Sequence, residues 1–225
     1  MAGYVTSTQE IAEAYRKIQI YARDGKVALA PSDNGKTKLL LLEKKKHPYT
    51  VSVREGLLTL KPSRTKWYHF LRLGIDRSEI RLLVPQSTLE EIKVKANVGK
   101  VDLHSIACSG PIEIQTNTGT LHAEDVTCQN FNTKGNTGSA ILNRLQAKES
   151  ITVKRNTGNV TLNDCAAPKI FVKSNTGKAC GRLPSDTMFL TRTNTGRVKT
   201  PQAPIGAQIG CICEIKTNTG NIKFE

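Results

Sequence analysis

From residue 89 to residue 225 apolar and polar residues alternate in short runs, and the runs recur at a nearly fixed period. Each run is keyed to an Asn-x-Gly tripeptide at Asn97, Asn117, Asn136, Asn156, Asn175, Asn194 or Asn218, with successive spacings of 20, 19, 20, 19, 19 and 24 residues. With the asparagine as position zero, position minus five holds Ile92, Ile112, Phe131, Ile151, Ile170, Phe189 and Cys213. Position minus three holds Val94, Ile114, Thr133, Val153, Val172, Thr191 and Ile215. Alternation of period two in β-branched segments predicts strands with one face inward. A second strand follows at plus four, in Val101, Leu121, Ala140, Val160, Ala179, Val198 and Ile222. At plus six, Leu103, Ala123, Leu142, Leu162 and Phe224 continue inward, whereas Gly181 and Thr200 interrupt the pattern. A helix would need spacings of three and four.

A period of 19–20 residues predicts an all-β fold, a single-domain β-solenoid of the parallel β-helix type, in which each rung buries its apolar face on its neighbours. The tripeptides become corners. Gly99, Gly119, Gly138, Gly158, Gly177, Gly196 and Gly220 accept positive φ, and the preceding asparagines can bond one another along the stack. Residues 1–88 read as an irregular N-terminal β region or cap, and residues 89–225 as the regular repeats. Two segments of the cap fit the rung template: Ile18 and Ile20 before Arg23-Asp24-Gly25, and Tyr49 and Val51 before Arg54-Glu55-Gly56. Ser7 to Tyr15 carries a capping-box pattern that could close the end as a short helix. Uncapped rungs near Phe224 would allow self-association end to end.

The strands around Asn-Thr-Gly, the turns Asp24-Gly25-Lys26-Val27 and Gly56-Leu57-Leu58-Thr59-Leu60, and Leu83-Val84-Pro85 leading to Ile92-Lys93-Val94 resemble the bacterial putative-adhesin family of β-solenoid domains of unknown function. The resemblance covers nearly the whole chain. It implies the fold and supplies no catalytic residues.

Charge changes the picture most. Thirty-three Lys and Arg against 19 Asp and Glu give a formal net charge of +14. Position minus two, which alternation sends outward, carries Lys95, Gln115, Lys134, Lys154, Lys173, Arg192 and Lys216. Like charges on adjacent strands destabilise a sheet, so the column is either a solubility device or a binding surface. Its partners would be an anionic polymer, an acidic membrane surface or another protein, with nucleic acid a less favoured polyanion. A second basic concentration interleaved with aromatics spans Arg64, Lys66, Trp67, Tyr68 and Arg72, a pattern suited to stacking on sugars or bases or, alternatively, to plugging the coil.

Catalytic chemistry is harder to find. The competing reading is a carbohydrate-active lyase or hydrolase using His104, His122, Glu124 and Asp125, with Arg144 and Asp164 nearby, although Asp125, Arg144 and Asp164 read first as a salt-bridge ladder. No nucleophile elbow, phosphate loop or dinucleotide fingerprint occurs, and no metal or cofactor is expected. The six cysteines lack metal spacing. They read as buried free thiols, with a Cys108–Cys128 disulfide as the alternative. The start of the chain has no export pattern, so cytoplasmic location is the default expectation, with peripheral envelope association left open.

Overall fold

The computed structural model describes residues 3–45, 48–63, 78–85, 89–202 and 208–225, and every helix or strand among them is a strand. Among the described residues nineteen strands join in one mostly parallel sheet that wraps around its own apolar columns. On one side the spatial order is β4 (Tyr49–Arg54), β5 (Leu57–Pro62), β2 (Lys17–Pro31), β7 (Glu91–His104), β8 (Ile112–Thr118), β10 (Thr127–Thr137), β12 (Gln146–Thr157), β14 (Lys169–Thr176), β18 (Cys211–Thr219) and β16 (Thr187–Thr195). The other side runs β1 (Tyr4–Ile11), β3 (Thr37–Lys44), β6 (Glu79–Val84), the second halves of β2 and β7, β9 (Leu121–Glu124), β11 (Ala140–Asn143), β13 (Val160–Asn163), β15 (Ala179–Arg182), β19 (Ile222–Phe224) and β17 (Val198–Lys199).

Between the two sides the chain turns at the Asn-x-Gly tripeptides. Gly119 has φ of 147°, and a Cβ there would lie 1.6 Å from the carbonyl oxygen of Gly99 in the next layer. Both the backbone angle and the close approach therefore demand glycine. The amide of Gly119 still donates to Thr137 and that of Gly138 to Thr157 (both 2.8 Å), so hydrogen bonding passes through the bend unbroken. Outside it, Asn Nδ2 donates to the neighbouring Asn Oδ1 from Asn117 to Asn97 (3.1 Å), Asn136 to Asn117 (3.4 Å), Asn156 to Asn136 (3.0 Å) and Asn175 to Asn156 (3.3 Å). Asn194 donates separately to Asn218 at 2.6 Å. These bonds are exposed, each contributing on the order of 0.5 kcal/mol, and they act chiefly to hold register.

The core is the facing set of inward columns, in which Ile92, Ile112, Phe131 and Ile151 are fully buried on one side and Val101, Leu121, Ala140 and Val160 on the other. Buried polar side chains interrupt the inward positions at Thr116, Thr133, Ser174 and Thr217, and Arg155 departs furthest from this chemistry. Arg155 is 3% exposed, and its guanidinium donates from Nη1 to Thr116 Oγ1 (3.2 Å) and from Nη2 to Thr133 Oγ1 (3.1 Å). It has no carboxylate partner among the described residues, and burial pushes its pKa down to about 10. Space for it comes from Gly135, its pairing partner on the adjacent strand.

The layers do not stack in chain order at the C-terminal end. β18 lies between β14 and β16, so Cys213 pairs with Ile170 on one side and Phe189 on the other. The 24-residue interval before Asn218 supplies the extra chain needed to pass back over one layer. Side-chain volume accounts for the order: Phe224 pairs beside Gly181, where the plus-six column loses its side chain, and packs on Phe189 with ring centroids 5.3 Å apart. Phe224 is thus 2% exposed, and the outermost strands are β16 and β17, which corrects the expectation of an open end at Phe224.

The N-terminal end also departs from the template in two places. Gly25 pairs with Gly99 in the corner column, but Glu55 and Gly56 form the tight turn of an antiparallel hairpin between β4 and β5, both with positive φ. Of residues 7–15, where a helical cap was expected, 7–11 belong to β1, which pairs antiparallel with β3. Edge pairing outweighs the capping-box signal there, because β3 would otherwise present an unpaired edge.

Gly135→Ala places a Cβ 1.7 Å from Arg155 Nη1 and is expected to destabilise the protein by about 1–3 kcal/mol. Chemical denaturation should also show that Gly135→Ala/Arg155→Met costs less than the sum of the two single changes.

Candidate functional site

The outward face of the longer strands carries the basic column. Cross-strand pairing sets Lys95 beside Gln115, Gln115 beside Lys134, and then Lys134, Lys154, Lys173, Lys216 and Arg192 on successive strands. These five cations span roughly 19 Å at the usual strand spacing of about 4.8 Å. All are exposed. Among the described residues Lys134, Lys154, Lys173 and Arg192 have no carboxylate partner, whereas Lys216 bonds Glu214 at 2.5 Å. Lys95 lies over the ring of Tyr21, 5.9 Å from its centre. The reordered C-terminal strands exchange Lys216 and Arg192 relative to chain order and leave the column continuous. Arg64, Lys66, Trp67, Tyr68 and Arg72 lie outside the described residues.

Around a second bend the structure gathers the acidic and histidine side chains. Asp125, Arg144 and Asp164 all have φ near 50°, which turns their side chains out along one edge. Arg144 donates from Nε to Asp125 Oδ1 (2.6 Å) and from Nη2 to Glu124 Oε1 (2.6 Å) and Asp125 Oδ2 (2.8 Å). These bonds hold both carboxyls below their ordinary values of 4.5 and 3.8. Asp164 bonds Arg182 instead, at 2.9 Å, so the expected Asp125–Arg144–Asp164 ladder divides into two separate clusters. His104 Nδ1 is 3.6 Å from Glu124 Oε2, and His122 Nδ1 is 3.9 Å from Asp102 Oδ1. A glycosidase acid needs a carboxyl with a raised pKa and a free approach; Glu124 and Asp125 have the opposite shift and a guanidinium in the way. No group of three metal-ligating side chains occurs among the described residues.

On the third side, where the layers meet through isolated bridges such as Gln146 to Ala166, an open groove of about 910 Å³ runs past Ala107, Cys108, Cys128, Ala147, Ala166 and Pro168. Small residues line it in register, with Cys108, Cys128, Ala147 and Ala167 each eleven positions after Asn97, Asn117, Asn136 and Asn156, a signal present in the first four repeats. All six cysteines are free. Burial pushes the Cys128 thiol up to about 12 and Cys165 to about 11, which suppresses the thiolate needed for nucleophilic or redox chemistry.

These features describe an all-β, mostly parallel sheet coiled around one core, with a cationic face and no helix among the described residues long and apolar enough to cross a membrane. The chain belongs to the Toastrack DUF4097 family, whose model matches residues 15–225. Among solved structures it is similar to a putative adhesin from Bacteroides fragilis, with 18% identity, a TM-score of 0.64 and coverage of 100% of this chain and 98% of that one. It is also similar to a putative adhesin from Parabacteroides distasonis, with 16% identity, a TM-score of 0.52 and coverage of 98% and 96%. At these identities the likeness is one of fold. No curated protein matches the sequence.

The Arg144 cluster makes a signed pH prediction. Carboxyls held below their ordinary values stabilise the fold above about pH 4.5 and lose that contribution as pH falls through the depressed values. Thermal melts across acid pH should therefore show a shallower acid limb for Arg144→Ala than for the parent.

Proposed function

We propose that the chain is a non-catalytic binding module, a solenoid of 19–20-residue rungs turning at Asn-Thr-Gly, that presents its basic face to an anionic partner. The observation that supports this reading is the uncompensated adjacency of Lys134, Lys154 and Lys173. Nothing in the fold requires cations there, since Gln115 occupies the same column and neutral polar residues serve an exposed sheet equally well. Solubility alone is met by mixed charges, which avoid the like-charge repulsion of neighbouring strands. A linear run of positive charge on a flat surface suits phosphate-bearing or uronic-acid polymers and acidic surfaces.

Long-chain polyphosphate is the simplest probe. The parent protein should bind it at low salt, and Lys134→Glu/Lys154→Glu/Lys173→Glu should lose on the order of a hundredfold in affinity at an unchanged melting temperature, at roughly 1 kcal/mol or more per residue. Fluorescence anisotropy measures both proteins; equal affinities would reduce the column to a solubility device.

A further inference from the structure

We propose that the C-terminal part of this basic face docks on the surface of an anionic lipid bilayer, with Leu190 and Ile212 entering the zone between headgroups and acyl chains. The inference rests on the basic-face reading and names its partner class. On β14, β18 and β16 the outward columns read Lys169, Ile212 and Met188; Phe171, Glu214 and Leu190; and Lys173, Lys216 and Arg192. Leu190 is 45% exposed and Ile212 41%. The ammonium groups of Lys154 and Lys216 each lie 5.7 Å from the centre of the Phe171 ring. The carboxylate within this grid, Glu214, is neutralised by Lys216 at 2.5 Å.

The earlier strands of the same face provide the contrast. There the column that ends in Phe171, Glu214 and Leu190 holds Lys93, Glu113, Asn132 and Thr152, which are polar throughout. Toward the C-terminal end exposed Leu190 and Ile212 stand among cations, of which Lys173 and Arg192 have no carboxylate partner among the described residues. A hydrated polyanion is matched by the cations alone and gains nothing from exposed Leu190 and Ile212. An acidic bilayer complements both features: its phosphates attract the lysines and arginine, at roughly fivefold in affinity per basic residue. Beneath them lies an apolar layer within reach of the aliphatic side chains. Long basic side chains can extend to the headgroups while the apolar ones point inward, and a sheet face approaches a planar surface along several strands at once.

The test compares the full chain with Leu190→Gln/Ile212→Gln on phosphatidylcholine vesicles with and without phosphatidylglycerol, and on polyphosphate. Both substitutions are at exposed positions, and an unchanged melting temperature verifies the fold. The expected result is sedimentation of the parent with the anionic vesicles only, a loss of about tenfold or more in vesicle affinity for the variant, and unchanged polyphosphate binding. Equal vesicle affinity of parent and variant overturns the docking role of the apolar residues. Binding to polyphosphate without binding to vesicles overturns the bilayer as partner and leaves the basic-face reading standing, whereas binding to neither removes both.

Discussion

Parallel pairing in register is the constraint on which the rest of this molecule depends. Because Ile151 stands beside Ile170, Lys154 beside Lys173 and Thr157 beside Thr176, whatever occupies one repeat position is multiplied into a line along the coil. Apolar residues become a core without any single layer having one of its own. Asparagines become a ladder, glycines a seam of close backbone contacts, and lysines a strip of charge. The same multiplication raises the penalty of an unsuitable residue, since a side chain at the glycine seam meets the carbonyl of the next layer.

Departures from strict repetition are resolved between neighbouring layers. Arg155 enters the interior because Gly135 beside it leaves space and two threonine hydroxyls accept from it. A buried cation held only by neutral acceptors is an expensive substitute for an aliphatic side chain, and nothing in its surroundings explains why the position is basic. Phe224 and Gly181 show the same compensation in reverse: a large ring beside an absent side chain selects which strand lies next to β15. Local volume matching therefore decides the order of the last layers where the repeat by itself allows more than one.

Much of this was legible in the sequence, for physical reasons that differ from element to element. Period-two alternation and the Asn-Thr-Gly spacing identify strands and bends because side-chain direction and positive φ are local properties. Spatial order is not local, so the insertion of β18 between β14 and β16 could not be read from spacing beyond the longer interval before Asn218. Glu55-Gly56 matched the corner template in composition, yet the same residue types serve a two-residue hairpin. Lys134, Lys154 and Lys173 are one repeat apart in sequence and adjacent in space, whereas the contact of Lys216 with Phe171 depends on the reordered strands. Arg155 was hidden because its inward position carries no apolar signature.

The cationic strip therefore follows from the same register that builds the core, and its role turns on whether those charges act together on one ligand. The most direct measurement is the salt dependence of polyphosphate affinity for the parent and for Lys134→Ala, Lys154→Ala and Lys173→Ala singly. Concerted contact predicts a linear fall of log affinity with log salt, and a slope reduced by about 0.7 for each cation removed. A slope that is flat, or that all three substitutions leave unchanged, would contradict the account.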